Sequence, residues 1–270
     1  MVITFLIFLS QIGIVLIIGL IAYKMNALTK AGFIAAVPVG SIIMIFGGFK
    51  WFMILVTLLV ISVLATRFKY SRKMEFEAAE GKGGMRGWRN VLSNGTIAAL
   101  IAIFFGITLH KIFAGGYLGA ISTSLADTLA TELGLLNPSK PRLITNLNNR
   151  VKAGTSGGIT MLGEASGMLG SFIIAVLAML IGFEGLNAFQ VITATLCSGF
   201  IGNNFDSLLG ATVQAIYKCQ ECGKLTEEST HCERSAIHVK GCRYFDNNVV
   251  NFTSTIMGAL IASIFLQFTI

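Results

Sequence analysis

Apolar runs of about 20 residues, the length a helix needs to cross a bilayer's hydrocarbon core, recur along almost the whole chain. Inside lipid the backbone must satisfy its own hydrogen bonds, so repeated runs of this kind call for a bundle of helices. We place eight spans at about 2–22, 31–48, 51–66, 92–112, 114–136, 159–183, 187–217 and 247–269. The expected fold is therefore all-α: a polytopic membrane helical bundle of about eight transmembrane helices, with residues 1–270 forming a single integral-membrane domain. Only 12% of the residues are charged, against about 25% in soluble domains. The first run, Met1 to Tyr23, is too long for a signal-peptide core and lacks a basic start, so it reads as a retained span.

The basic residues orient the bundle. Of the 20 lysines and arginines, only Lys50 and Lys111 fall in the loops on one side. The crowded side is the cytoplasmic one by the positive-inside rule, which leaves both termini outside. Three polar segments are then cytoplasmic: a basic interfacial segment at 67–91, a glycine-rich loop at 137–158 and a cysteine-rich loop at 218–245. The net charge of +7 is explained by this topology. No aromatic-basic interleaving or nucleic-acid module is present, so nucleic acid is excluded as a partner.

Against this apolar background stand four carboxylates, Asp127, Glu132, Glu164 and Asp206. Each costs roughly 2.5–3.5 kcal/mol at membrane depth, so they are expected to face the bundle interior and a cation or polar substrate. All four fall toward the cytoplasmic ends of spans five to seven, as a catalytic or ion-binding centre near one leaflet would require.

Polar stripes accompany them. Ser124, Asp127, Thr128 and Thr131 share one helical face, and Glu132 broadens it. The run Arg150-Val-Lys152-Ala-Gly154-Thr155-Ser156-Gly157-Gly158 precedes span six. A glycine-rich turn entering a helix offers backbone N–H groups and a positive dipole end, so these residues form a candidate phosphate cradle. The Gly-Lys-Ser/Thr ending of a Walker loop is absent. Thr160, Glu164, Gly167 and Ser171 align just inside it. Asn203 and Asn204 precede Asp206, and two amides beside a carboxylate suit a divalent cation or nucleotide hydroxyls. Arg86, Arg89, Asn90 and Ser93 share a face at the entry to span four, with Asn94 following; they would hold a phosphate or anchor the helix to anionic headgroups. Asn247 and Asn251 give span eight a polar face at the same depth.

Four of the five cysteines lie in the 218–245 loop, as Cys219, Cys222, Cys232 and Cys242, with gaps of two, nine and nine residues. In a reducing cytosol this favours a structural Zn²⁺ site of four thiolates, or of three with His231 or His238. Cys197, inside a span, reads as a small apolar filler.

The motifs RGWRNVLSNG, ADTLATELG, KAGTSGG, IGNNFDSLLGATVQ and DNNVVNF resemble an integral-membrane family that includes the plant phytyl-phosphate kinases. The Asp127 and Lys152–Gly158 elements are more loosely similar to CTP-dependent dolichol and phytol kinases. The resemblance implies phosphorylation of an isoprenoid monophosphate to the diphosphate with CTP and Mg²⁺. Asp127, Glu132 and Asp206 would then hold Mg²⁺, and Glu164 would join them as a catalytic carboxylate. Arg86, Arg89, Asn90, Asn94, Ser124, Thr128, Arg150, Lys152, Gly154 to Gly158, Asn203, Asn204, Asn247 and Asn251 would contact substrate or nucleotide. Expected partners are the isoprenoid phosphate, the nucleoside triphosphate and bilayer lipids, with a homo-oligomer allowed. The site would face the cytoplasm, across the cell membrane in a prokaryote. Two rival activities use the same residues: ion or metabolite transport, and lipid cytidylyl transfer.

Overall fold

A computed structural model describes residues 2–75 and 82–269. Its long helices are α1 (Val2–Lys24), α2 (Lys30–Phe46), α3 (Phe49–Arg67), α5 (Trp88–Thr108), α6 (Lys111–Gly134), α7 (Met161–Leu180) and α10 (Asn247–Gln267), with a short α4 (Tyr70–Glu75) after α3. Between α7 and α10 stands one rod made of α8 (Ala188–Ile192), a π-helical turn at Thr193–Cys197 and α9 (Ser198–Thr212). Among the described residues, five segments are long and apolar enough to cross a membrane: Leu6–Lys24, Phe49–Arg67, Trp88–Thr108, Met161–Leu180 and Asn247–Gln267. Large apolar side chains such as Ile17, Leu64, Ile107, Leu180 and Leu260 are exposed on these helices, as a lipid-facing surface requires.

Local chemistry sets the helix ends. Thr29, Thr160 and Asp246 cap α2, α7 and α10 by accepting the N–H groups of Gly32, Gly163 and Val249 at 2.9–3.0 Å. Asn187 and Gln190 close a capping box at α8.

Helix α6 is the hub, packing on α3, α5, α7, α9 and α10. Its residues Ala114 to Ala126 are all buried. Its neighbours are protein rather than lipid, which explains a sequence of small residues and hydroxyls where the other helices carry Leu, Ile and Phe. Glycines permit the approach. A Cβ at Gly119 would collide with the Gly258 carbonyl of α10, and one at Gly163 or Gly167 would press on the Ala130 or Ala126 carbonyl of α6. The Thr123 hydroxyl donates to the Ser198 carbonyl at 3.0 Å, just beyond the π turn.

The two ends of the bundle differ. One carries Lys50 and Lys111, which donate to the carbonyls of Gly182 and Gly185 at 2.8 and 3.2 Å. Beside them Trp51 packs on Phe105, Tyr117 and Phe183, and its indole N–H donates to Glu184 at 3.0 Å. The other end holds the polar loops and the candidate site.

Those loops contain strands, a departure from an all-α chain. The 137–158 segment forms β1 (Arg142–Leu143) and β2 (Asn146–Arg150), and β3 (Gly158–Ile159) follows, in the order β2-β1-β3. The last expected residues of span seven enter β4 (Ile216–Lys218), which pairs with β5 (Leu225–Thr226) and β8 (Ile237–Lys240), while β6 (Thr230–His231) and β7 (Arg234–Ser235) make a separate hairpin. Of the expected interfacial segment, α4 and a 3₁₀ turn at Lys82–Gly84 are helical; its residues 76–81 lie outside the described residues.

Candidate functional site

Asp206 is the centre of the polar end. It is buried on α9 and accepts the Ser254 hydroxyl of α10 at 2.8 Å. Asn251, with its amide nitrogen turned toward the carboxylate, donates to the same oxygen at 3.2 Å and to the Asn247 carbonyl at 3.0 Å. Asp127, half-buried on α6, is near enough for its charge to repel that of Asp206, and Glu227 from the cysteine-rich loop adds a third carboxylate. Like charges gathered in this way are relieved by a proton or by a cation. Carboxylate oxygens are the ligands that a hard divalent cation such as Mg²⁺ takes.

Glu164 is brought to α9 by the glycine-lined contact between α6 and α7. It accepts the Asn204 amide at 2.9 Å and the Asn203 amide at 3.4 Å. The two amides therefore engage Glu164 rather than Asp206, the carboxylate beside which the sequence places them.

Glu132 has a different role from the metal ligation expected of it. Both of its oxygens are occupied: Thr66 donates to one at 2.6 Å, and Lys73 of α4, fully buried, donates to the other at 2.7 Å. Lys73 also reaches the Ala65 carbonyl at 2.6 Å. Metal ligation would have to displace a buried ammonium from its counter-charge, so Glu132 is a structural partner that locks α4 and α3 onto α6. Arg86 joins this cluster by donating to the Thr66 hydroxyl at 2.8 Å.

The glycine turn also departs from expectation. It does not run straight into α7, because β3 intervenes and Thr160 caps the helix. Gly154 and Gly157 adopt φ of 80° and 75°, a conformation that favours glycine. A Cβ at Gly157 would strike Ala211 and the Ser207 carbonyl, so the turn lies directly on α9, one helical turn from Asp206. Ser156 donates to Glu227 at 2.5 Å, joining the two polar loops. Glu227 was not legible as a site residue in the sequence, where it sits in a charged loop. Burial there raises its pKa above the ordinary 4.5, and the Ser156 hydroxyl opposes the rise. Arg150, Lys152, Gly154 and Thr155 are exposed beside this junction, and Gly158 belongs to β3.

Ser124 and Thr128 bond back to their own helix, at the carbonyls of Ala120 and Ser124. Asn94 donates to the Asn90 carbonyl at 2.9 Å. Arg89 is exposed and lies 3.6 Å from Asp246, and Asn247 is exposed on the first turn of α10.

An apolar cleft lies between α1, α2 and α3, walled by Val15, Ala36, Val39, Phe52 and Leu59 among others. At the loop end its lining turns polar, with Ser62, Arg86, Asn90, Asn94 and Thr128. Thr128 directly follows Asp127, so the polar end of the cleft reaches the turn of α6 that carries this carboxylate.

In the cysteine-rich loop, the ligand atoms of Cys219, Cys222, His231 and Cys232 all lie within 4.8 Å of one another. Cys242 and His238, both expected as candidates, are not in this group. The Cys242 backbone instead bonds to Val213 at the exit of α9, and the His238 ring packs edge-on against Tyr217. The Cys219 thiol is lowered to about 6, chiefly by the Cys222 backbone N–H.

Comparison with known proteins places this geometry among membrane proteins. Residues 13–259 match the family described as "Integral membrane protein DUF92". An uncharacterized membrane protein of Methanocaldococcus jannaschii, MJ0933, is 34% identical over 203 residues, 74% of this chain and 81% of that one. Protein PGR of Arabidopsis thaliana is 29% identical over 275 residues, covering 93% of this chain and 94% of its own. The chloroplastic protein VTE6 of the same plant is 25% identical over 248 residues, 90% of this chain and 66% of its own. No solved structure matches.

Proposed function

The chain belongs to the integral membrane DUF92 family, and from that membership and the geometry above we propose a membrane kinase that phosphorylates an isoprenoid monophosphate, such as phytyl or geranylgeranyl phosphate, to the diphosphate with CTP and Mg²⁺. The observation that carries this reading is an apolar cleft that reaches α6 at Thr128, the residue after Asp127, whose charge repels that of Asp206. A prenyl tail needs the first and a metal-bound nucleotide the second. The motif resemblance to plant phytyl-phosphate kinases supports the same substrate class.

Phosphoryl transfer depends on positioning and charge neutralisation more than on covalent participation. Asp127 and Asp206 would hold Mg²⁺, with Glu227 facing them; the bound cation would neutralise phosphate charge. Ser254 and Asn251 fix the Asp206 carboxylate by their hydrogen bonds, so its lone pairs point in one direction. Arg86, Asn90 and Asn94 at the cleft mouth would receive the lipid phosphate, and Lys152, with the N–H groups of the glycine turn, the nucleotide phosphates. A monophosphate acceptor is already ionised near neutral pH, so no general base is needed. We further propose eight crossings, both termini outside and a cytosol-facing site, on the charge asymmetry of the loops.

The test is product analysis after incubating purified protein with Mg²⁺, CTP and geranylgeranyl phosphate. Prenyl diphosphate with CDP supports the kinase. A CDP-lipid with pyrophosphate would make the protein a cytidylyltransferase, and no turnover alongside ion flux in liposomes would make it a transporter.

A further inference from the structure

The cysteine-rich loop holds a second centre, separate from the membrane carboxylates. Its four ligand residues arrive from two turns. Cys219 and Cys222 lie in a tight turn after β4, closed by the Gly223 N–H donating to the Cys219 carbonyl at 3.1 Å and the Cys219 N–H donating to the Lys224 carbonyl at 2.8 Å. His231 and Cys232 lie at the tip of the β6–β7 hairpin. There Cys232 and Glu233 adopt φ of 53° and 59°. A two-residue hairpin turn with both residues left-handed normally uses Asn-Gly or Asp-Gly. Cys and Glu have neither glycine's missing Cβ nor the local hydrogen bonds of Asn and Asp, so both are strained in that conformation, and such strain persists where the surroundings over-determine it. The strained tip directs His231 and Cys232 at the CxxC turn: His231 Nδ1 stands 3.5 Å from the Cys222 sulfur and 3.2 Å from the Cys232 sulfur. Around a tetrahedral zinc, with bonds of about 2.3 Å to sulfur and about 2.0–2.1 Å to nitrogen, ligand atoms stand roughly 3.5–3.8 Å apart. The two distances from His231 are near these values and all four ligand atoms lie within 4.8 Å of one another, close enough to converge on one zinc ion.

We propose that Cys219, Cys222, His231 and Cys232 bind one structural Zn²⁺, and that this ion holds Glu227 against Ser156 at the mouth of the carboxylate site. The ligand pairs bracket residues 223–230 on both sides, and Glu227 lies in the middle of that bracket. Without a metal the short strands β5 and β6 would have to retain that position on their own. With it, the loop becomes a closed ring whose inner residue touches the glycine turn. Four protein ligands leave no open coordination position, so the ion is structural rather than catalytic. This inference stands whether or not the kinase reading holds.

The test uses full-length protein purified under reducing conditions with a tag that does not bind metal and without chelators. Elemental analysis should find one zinc per chain, and cobalt exchanged into the protein should give the visible bands and thiolate charge transfer of a tetrahedral site. Cys232→Ser should lose the metal, Cys232→His should keep it, and Cys242→Ser should keep it too. If Cys232→Ser does not fold, the cobalt spectrum of the wild type and the Cys232→His and Cys242→Ser variants decide the question. Reduced wild-type protein that takes up neither zinc nor cobalt, or loss of metal in Cys242→Ser, would overturn the site. Stripping the zinc should speed hydrogen exchange at 225–230 by at least tenfold; unchanged exchange there would refute the link to Glu227.

Discussion

The ammonium of Lys73 sits 2.7 Å from the carboxylate of Glu132, and the two side chains are 0% and 7% exposed. The pair joins a six-residue helix at the polar end to the central helix of the bundle. Removing one partner of such a pair strands a buried charge and costs about 3–5 kcal/mol, whereas apolar residues of similar volume at both positions are often neutral. Lys73→Met should therefore lower stability strongly, and the double variant Lys73→Met/Glu132→Leu should recover most of the loss. Thermal unfolding in detergent measures both. A single variant as stable as the wild type would show that the pair is not formed.

Gly119 and Gly258 bring α6 and α10 into backbone contact. Gly119→Ala places a Cβ against the Gly258 carbonyl and 2.6 Å from the Ala262 side chain, and neither can move without separating the helices. Overpacking of this kind costs about 1–3 kcal/mol. The unfolding midpoint should fall accordingly. An unchanged midpoint would mean that α6 and α10 are not so closely packed.

The cleft makes a prediction about chain length. Ala36 lines it and is partly buried. Ala36→Phe should fill the space and raise KM for a twenty-carbon prenyl phosphate about tenfold, while KM for a five-carbon analogue changes little. Equal effects on both substrates would place the tail elsewhere, in lipid.

Glu227 predicts a pH dependence. Burial raises its pKa above 4.5 in the folded protein. A carboxyl with a raised folded pKa stabilises the fold when protonated; that contribution is complete below the unfolded value and is lost as pH rises through the folded one. Glu227→Gln stays neutral throughout. Without added Mg²⁺ the variant should match the wild type near pH 4 and exceed it in thermal stability at pH 8. A gap that is the same at both pH values would contradict the assignment.

Much of this arrangement was legible in the sequence, and the parts that were not have physical reasons. The long apolar stretches are helical, and hydropathy located them apart from the end of the seventh, which enters β4. Asp127 and Asp206 could be placed together because both interrupt apolar helices near the same end. Lys73 could not be found in this way: it lies in a charged segment, 59 positions from Glu132, and nothing local shows that it turns inward. Glu227 is hidden for the same reason, since its burial depends on the docking of one loop onto another. The cysteine spacing marked a candidate metal-ligand set but could not choose between Cys242 and His231 as members of the cluster. That choice is made by the hairpin at 230–235, and short strands in polar loops leave little periodic signal. The sequence runs the glycine turn into α7 without a break because the two intervening residues of β3 are too few to register as a strand.

The central claim is that Asp206 and its neighbours support transfer of a phosphoryl group to a lipid, and the most direct measurement is the movement of label from [γ-³²P]CTP into the lipid phase. With Mg²⁺ and geranylgeranyl phosphate, the wild type should transfer the label, and Asp206→Asn, folded and with the same unfolding midpoint or a higher one, should transfer it at least 100-fold more slowly. Transfer by Asp206→Asn at the wild-type rate, or no transfer of γ-label by folded wild-type protein, would contradict the account.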